Sequence, residues 1–144
     1  MRIRQASTAD ITEIVELSDQ LGYPTNVDLV SHRLAEILNK PEHVVWIAEL
    51  ESGAVVGWVH VTRTTWLEID PFAEIGGLVV DAAHRSQGIG KALLDKAEAW
   101  ALENSLSSLR VRSNVIRSRA HHFYEEAGYN IIKSQHVFEK KLRN

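Results

Sequence analysis

The chain has 144 residues, no cysteine and a net charge of −3, and at this length we expect one domain, residues 1–144, with one core. The lack of cysteine excludes disulfides, thiolate metal sites and a cysteine nucleophile. The charge gives no electrostatic footprint for nucleic acid and no apolar run reaches membrane-spanning length, so we expect a cytoplasmic protein without nucleic-acid or membrane partners.

The N-terminal part of the chain predicts one strand and two helices. Arg2–Gln5 alternates charged and apolar residues as an edge strand does, and Thr8 is the expected N-cap of the first helix. A turn around Tyr23 ends that helix, and Asn26 or Asp28 starts the second.

Two β-rich runs follow, Val44–Leu50 and Ala54–Thr64, and a hairpin signal joins them. Alternation in the second run places Trp58 and His60 on one face. From that face the two side chains could line a pocket. Packing for Trp58 and solvent exposure for His60 are the alternative interpretations.

The loop at residues 65–71 combines an aromatic side chain with two carboxylates, those of Trp66, Glu68 and Asp70. Such a group suits the rim of a site for a cationic amine. An ordinary acidic loop is the alternative interpretation.

The next stretch predicts a strand, Ala73–Val80, then a polar loop and a helix from about residue 89. Gly88 and Gly90 fall at the start of this helix, where free backbone amides and the helix dipole favour a phosphate. Arg85 and Lys91 flank the loop with positive charge. The sequence therefore predicts a pyrophosphate site.

Two common phosphate loops are excluded by the residues present. A Walker loop would need glycine where Arg85 stands and Ser or Thr where Ala92 stands. A dinucleotide fingerprint would need a third glycine in the place of Leu93.

The loop resembles the R/Q-x-x-G-x-G/A motif of the GNAT acetyltransferases, which binds the pyrophosphate of acetyl-coenzyme A. Its residues are Arg85, Ser86, Gln87, Gly88, Ile89 and Gly90. The segment from Ser113-Asn114 through His121 and Tyr124 to Gly128-Tyr129 also resembles a GNAT signature. The predicted element order, β-α-α-β-β-β-α-β-α-β-β, is that of the GNAT fold, and its last strands are Tyr129–Ser134 and His136–Lys141.

The resemblance implies a mixed α/β fold with a largely antiparallel sheet flanked by helices. Gly76-Gly77 inside the fourth strand suggests a bulge, and the family pattern has the sheet splayed there around the coenzyme. The implied coenzyme contacts are Leu78, Val79, Val80, Arg85, Ser86, Gln87, Gly88, Ile89, Gly90, Lys91 and Asn114. We expect no metal, because His121 and Glu125 share a helical face without an evident third ligand.

The resemblance also implies catalytic roles. The Leu78 amide would donate to the thioester carbonyl, and the Tyr124 phenol would protonate the leaving thiolate. Glu74 is the candidate base, with His60 or a water chain as the alternative. The expected substrate contacts are Tyr23, His60, Trp66 and Glu74.

The expected function is transfer of the acetyl group of acetyl-coenzyme A to a primary amine of a small molecule, by direct attack in a ternary complex. The alternatives are acetylation of a protein N-terminus or lysine, and a non-catalytic acyl-coenzyme A-binding domain. A homodimer is one of the assemblies that the sequence leaves open.

Overall fold

The computed structural model describes residues 1–113 and 117–143, and it divides into two compact units, Met1–Arg112 and Ser113–Asn144. The elements of the first unit are β1 (Arg2–Gln5), α1 (Ile11–Leu21), α2 (Val27–Leu38), β2 (His43–Glu49), β3 (Val55–Thr64), β4 (Phe72–Val80), α3 (Ile89–Glu103) and β5 (Leu109–Val111). The second unit contains α4 (Ser118–Glu126).

The sheet of the first unit follows chain order, β1-β2-β3-β4-β5. The pairs are antiparallel except for β4 with β5, which is parallel. A parallel neighbour requires a crossover connection, and α3 supplies it. The predicted fold class, a mixed and mostly antiparallel sheet with flanking helices, is confirmed.

Helices cover both faces of the sheet because the strand side chains alternate. On one face, Ile14 of α1 and Leu34 of α2 pack with Ile47 and with the partly buried Trp58. On the opposite face, a Cβ on Gly57 would lie 3.1 Å from Leu93 of α3. Burial of these apolar stripes, at about 25 cal/mol per Å², is the main stabilising term of such a core.

The entry into α1 differs from the prediction in its capping residue. Ser7, not Thr8, caps a short 3-10 turn, in a capping box with Asp10. The Asp10 carboxylate accepts from the Ser7 amide at 2.8 Å and pairs with Arg4 at 2.8 Å. The sequence offered two adjacent hydroxyl residues, and the reciprocal bond to Asp10 selects the first.

The two predicted C-terminal strands are not formed. Residues 129–143 have no strand pairing, and side chains such as Phe138 are exposed. The alternating pattern suited strands, but a strand also needs a neighbouring backbone to accept its hydrogen bonds.

Candidate active site

A bulge interrupts β4 where it passes His60 on β3. His60 is opposite Gly77 and Val61 is opposite Ile75, which leaves Gly76 as the extra residue. β5 pairs with β4 only as far as Ile75. Among the described residues, no strand pairs with the outer edge of β4 beyond that point. The bulge predicted from the glycine pair is confirmed, and we call residues 76–80 the free edge of β4.

Both bulge glycines are required by side chains of β3. A Cβ on Gly76 would lie 2.9 Å from His60 Nδ1, and a Cβ on Gly77 would lie 2.7 Å from Trp58 Cη2. Neither glycine has a positive φ. Their role is therefore to leave space for two rings, which lie close against β4 at the bulge.

The polar loop after β4 leads into the start of α3. Ser86 and Gly88 have positive φ values of 65° and 80°, and Gly88 is the N-cap. The first helical bond runs from the Ala92 amide to the Gly88 carbonyl. The amides that precede Ala92 have no acceptor within the helix and are available to an anion. This backbone geometry agrees with a pyrophosphate-binding loop.

The two cations predicted to flank this loop, Arg85 and Lys91, differ in their surroundings. Arg85 is half-buried at the C-cap of the 3-10 turn Ala82–His84. Lys91 is exposed and forms an ion pair with Asp95, which raises the pKa of Lys91. Arg85 is therefore the less exposed of the two cations beside the loop.

A hydrogen-bonded clamp, which the sequence did not reveal, fixes the start of this loop to α1. Gln20 donates to Asp81 and accepts from the Ala82 amide, both at 2.8 Å. Asp81 also contacts His84 Nδ1 at 2.7 Å. The bonds from Gln20 and His84 hold the pKa of the Asp81 carboxyl below its ordinary value. No local pattern predicts a contact between residues 61 positions apart.

A cavity of about 440 Å³ lies between α1, α2 and the sheet. Its walls come from α1, the α1–α2 turn, α2, β2 and β3, and we call it the α1–α2 cavity. Its lining residues are Ile14, Ser18, Gly22, Tyr23, Pro24, Thr25, Val30, Arg33, Leu34, Ile37, Val45, Trp58 and His60. The volume is within the range of small-molecule sites.

His60 connects this cavity to the bulge. Its Nε2 atom lies 2.9 Å from Nδ1 of His43, and the two rings are stacked. Burial, with a smaller contribution from the charge of His43, lowers the pKa of His60 to about 4. His60 is therefore neutral near pH 7 and is able to accept a proton.

The predicted substrate residues separate into two groups. Tyr23 and His60 line the α1–α2 cavity, whereas Trp66 and Glu74 are not part of its lining. The Trp66 ring packs edge-on against Phe72. Glu74 Oε2 accepts from Arg112 Nε at 3.0 Å, so the candidate base is engaged in an ion pair.

The predicted acid, Tyr124, lies on α4 in the second unit. Its ring is in edge contact with Phe123 and Tyr129 at centroid distances of 5.1 and 5.8 Å. Burial raises the pKa of Tyr124, so the phenol keeps its proton at neutral pH. Asn114, a predicted coenzyme contact, lies outside the described residues.

Two further structural findings concern metals and membranes. Within residues 1–113 and 117–143, no three His, Asp or Glu side chains are grouped so that they could bind a metal ion. None of the helices in these ranges combines the length and the apolar character needed to cross a membrane.

A model of the acetyltransferase (GNAT) family matches residues 10–129. This match covers most of the chain, and the chain belongs to the GNAT family. The predicted family is confirmed, and with it the class of enzyme, the acetyl-coenzyme A-dependent N-acetyltransferases.

Two relatives illustrate the range of similar proteins. N-acetylaspartate synthetase of Xenopus tropicalis is 34% identical over 95 residues, which are 66% of this chain and 34% of that protein. Aminoglycoside N(6')-acetyltransferase type 1 of Stenotrophomonas maltophilia is 28% identical over 131 residues, 88% of this chain and 84% of that protein. The chain thus spans about a third of the first relative's length and most of the second's.

A solved structure shares the fold along nearly the whole chain. The aminoglycoside N-acetyltransferase AAC(6')-Iy in complex with CoA superposes with a TM-score of 0.81 at 17% identity, over 97% of this chain and 99% of that chain. A likeness at this identity concerns the fold alone. A protein of this fold has therefore been solved with CoA bound.

Proposed function

We propose that the protein transfers the acetyl group of acetyl-coenzyme A to a primary amine of a small molecule, by direct attack in a ternary complex. The observation that carries the proposal is the continuity of the free edge of β4 with the loop at the start of α3. Unpaired strand groups suit an amide-bearing arm, and free helix amides suit a pyrophosphate. The aminoglycoside acetyltransferase among the relatives supports a small-molecule acceptor.

The residues proposed to hold the coenzyme lie along this path. They are Leu78, Val79 and Val80 on the free edge, Arg85, Ser86, Gln87, Gly88, Ile89 and Gly90 in the loop, and Lys91 and Asn114. Acetyl-coenzyme A, when bound, supplies an activated acyl group. In the reaction the amine nitrogen bonds to the acyl carbon, the carbon–sulfur bond breaks, the amine loses a proton and the thiolate gains one.

The chain's own groups would stabilise charge and move these protons. An amide on the free edge, that of Leu78, is the proposed donor to the thioester carbonyl; removing one such donor typically costs about 3 kcal/mol of barrier. Tyr124, protonated at neutral pH, is the proposed acid.

The choice of base now favours His60 over Glu74. His60 is neutral and lines the α1–α2 cavity. It is also hydrogen-bonded to His43, so a proton that His60 accepts would be shared between two imidazole rings. Glu74 is held by Arg112 in an ion pair and is not part of the lining of the α1–α2 cavity. Water remains the alternative base.

Binding of the coenzyme tests the proposal most directly. We expect acetyl-coenzyme A to raise the melting temperature, since it would bind only the folded state, and to release free thiol when a panel of primary amines is added. Arg85→Gln should reduce the thermal shift, and Gly88→Val should abolish it because valine is strained at a φ of 80°.

Each outcome has a definite meaning. A shift that neither substitution changes would remove the loop from the proposal. A normal shift without thiol release on any amine would instead support a non-catalytic acyl-coenzyme A-binding domain.

A further inference from the structure

The α1–α2 cavity has a one-sided charge distribution. Its described lining contains one arginine, Arg33, and no aspartate or glutamate. A cationic ligand would find no charged partner there, and burying an ammonium without a partner is costly. The wall is therefore electrostatically unsuited to a substrate with several ammonium groups.

The charge of Arg33 is not neutralised by its neighbours. Its Nη1 atom lies 3.5 Å from the Thr25 hydroxyl, and no ion pair of Arg33 is present in the described parts of the chain. Glu36, on the same helix, pairs with His32 at 3.7 Å. Arg33 thus presents a cation at the cavity with capacity for a further acceptor.

The rest of the cavity wall is mainly apolar and aromatic. Ile14, Leu34 and Ile37 come from the helices, and Trp58 comes from β3. The imidazole of His60 completes the wall near the bulge. A ligand that matches this wall needs an apolar body, a negative group for Arg33 and an amine able to reach the bulge.

We propose that the acceptor is a primary amine that also carries a carboxylate and an apolar body, the chemistry of an amino acid, and that Arg33 binds its carboxylate. Guanidinium and carboxylate form paired, charge-assisted hydrogen bonds. Polycationic amines such as aminoglycosides are then poor acceptors. The inference rests on the proposed function, because it takes the α1–α2 cavity as the acceptor site of that reaction.

Matched pairs of amines test this inference. Acetylation of phenylalanine is compared with that of phenethylamine, and 6-aminohexanoate with hexylamine, with kanamycin as the polycation. We expect the carboxylate-bearing member to have a kcat/KM roughly tenfold higher in at least one pair, and kanamycin to be poorest. Product masses identify the acetylated amine.

Two arginine variants locate the effect. Arg33→Gln should remove the preference for the carboxylate by raising KM, with kcat retained. Arg63→Gln is the matched control, because Arg63 is also exposed and its Nη1 atom also contacts a threonine hydroxyl, that of Thr65 at 3.1 Å. The control should keep the preference.

Binding measurements separate failure of the inference from failure of the proposed function. Saturation-transfer NMR of phenylalanine and phenethylamine is recorded with and without coenzyme A for the wild type and both variants. Amine acetylation without a carboxylate preference, or a preference that survives in Arg33→Gln, would overturn the inference alone. Selective phenylalanine binding without acetylation would retain the carboxylate site and overturn the proposed reaction. Absence of acetylation of both phenylalanine and 6-aminohexanoate, together with absence of phenylalanine binding, would overturn the inference.

Discussion

His60 illustrates how a single residue acquires chemical character from its neighbours. Its ring lies beside His43, faces the extra glycine of the bulge and lines the α1–α2 cavity. Burial lowers the pKa of His60 to about 4, so the ring is neutral near pH 7. The sequence predicted the face on which His60 lies, the bulge and a pocket that His60 could line, but not the contact with His43.

The lowered pKa of His60 has a consequence for stability. In the unfolded chain this histidine titrates near its ordinary pKa of 6.5, and in the folded protein near 4. The unfolded state therefore binds more protons between these values, so the contribution to stability is full above pH 6.5 and is lost as the pH falls towards 4.

Between pH 7 and pH 5, we expect the free energy of unfolding of the wild type to fall by about 2 kcal/mol more than that of His60→Asn. The measurement is urea unfolding at both pH values. His32→Asn is the control, since His32 is exposed and pairs only at the surface with Glu36; it should follow the wild type. Equal pH dependence of all three proteins would show that His60 titrates normally.

At the scale of elements, the pairing of β3 with β4 determines the site. At the bulge, Gly76 and Gly77 leave space for the rings of His60 and Trp58, and the pairing of β4 with β5 ends just before it. The packing of the two rings and the free edge of β4 therefore occur at the same place in the strand. A regular strand here would have continued the ladder and left no free edge.

We predict that Gly77→Ala lowers the free energy of unfolding by about 1–3 kcal/mol, because its Cβ would overlap the Trp58 ring. The conformation of Gly77 allows alanine, so the cost is steric. A double-mutant cycle with Trp58→Leu measures the coupling by chemical denaturation. The alanine should cost clearly less in the leucine background; an equal cost in both would place the strain elsewhere.

At the scale of the whole molecule, the C-terminal segment exposes several large apolar side chains. They are Ile131 at 73%, Ile132 at 67%, Val137 at 85%, Phe138 at 92% and Leu142 at 86%. Large apolar side chains exposed within one segment favour burial against a partner surface.

We expect this segment to be covered by a second copy of the chain, which gives a dimer in sedimentation velocity. Phe138→Asp should shift the equilibrium to monomer, because a buried unpaired carboxylate opposes association. Leu67→Asp is a control at another fully exposed apolar position. A wild type that stays monomeric over a concentration series would contradict the prediction.

Local signals predicted most of the fold. The two caps at Asn26 and Gly22, the glycine at the start of α3 and the bulge glycines all need only neighbouring residues to be recognised. The site was predicted less completely. No local pattern, for example, predicts that Arg33 of α2 lines the same cavity as Trp58 and His60 of β3.

The sequence by itself determined the order of the elements up to α4, the glycine-containing start of α3 and the family, because short-range periodicity, capping and motif spacing carry that information. The tertiary structure alone decided which side chains meet. It joined Gln20 to Asp81 and Glu74 to Arg112, and it left residues 129–143 without strand partners. Contacts between distant residues depend on register and packing, which no local pattern encodes.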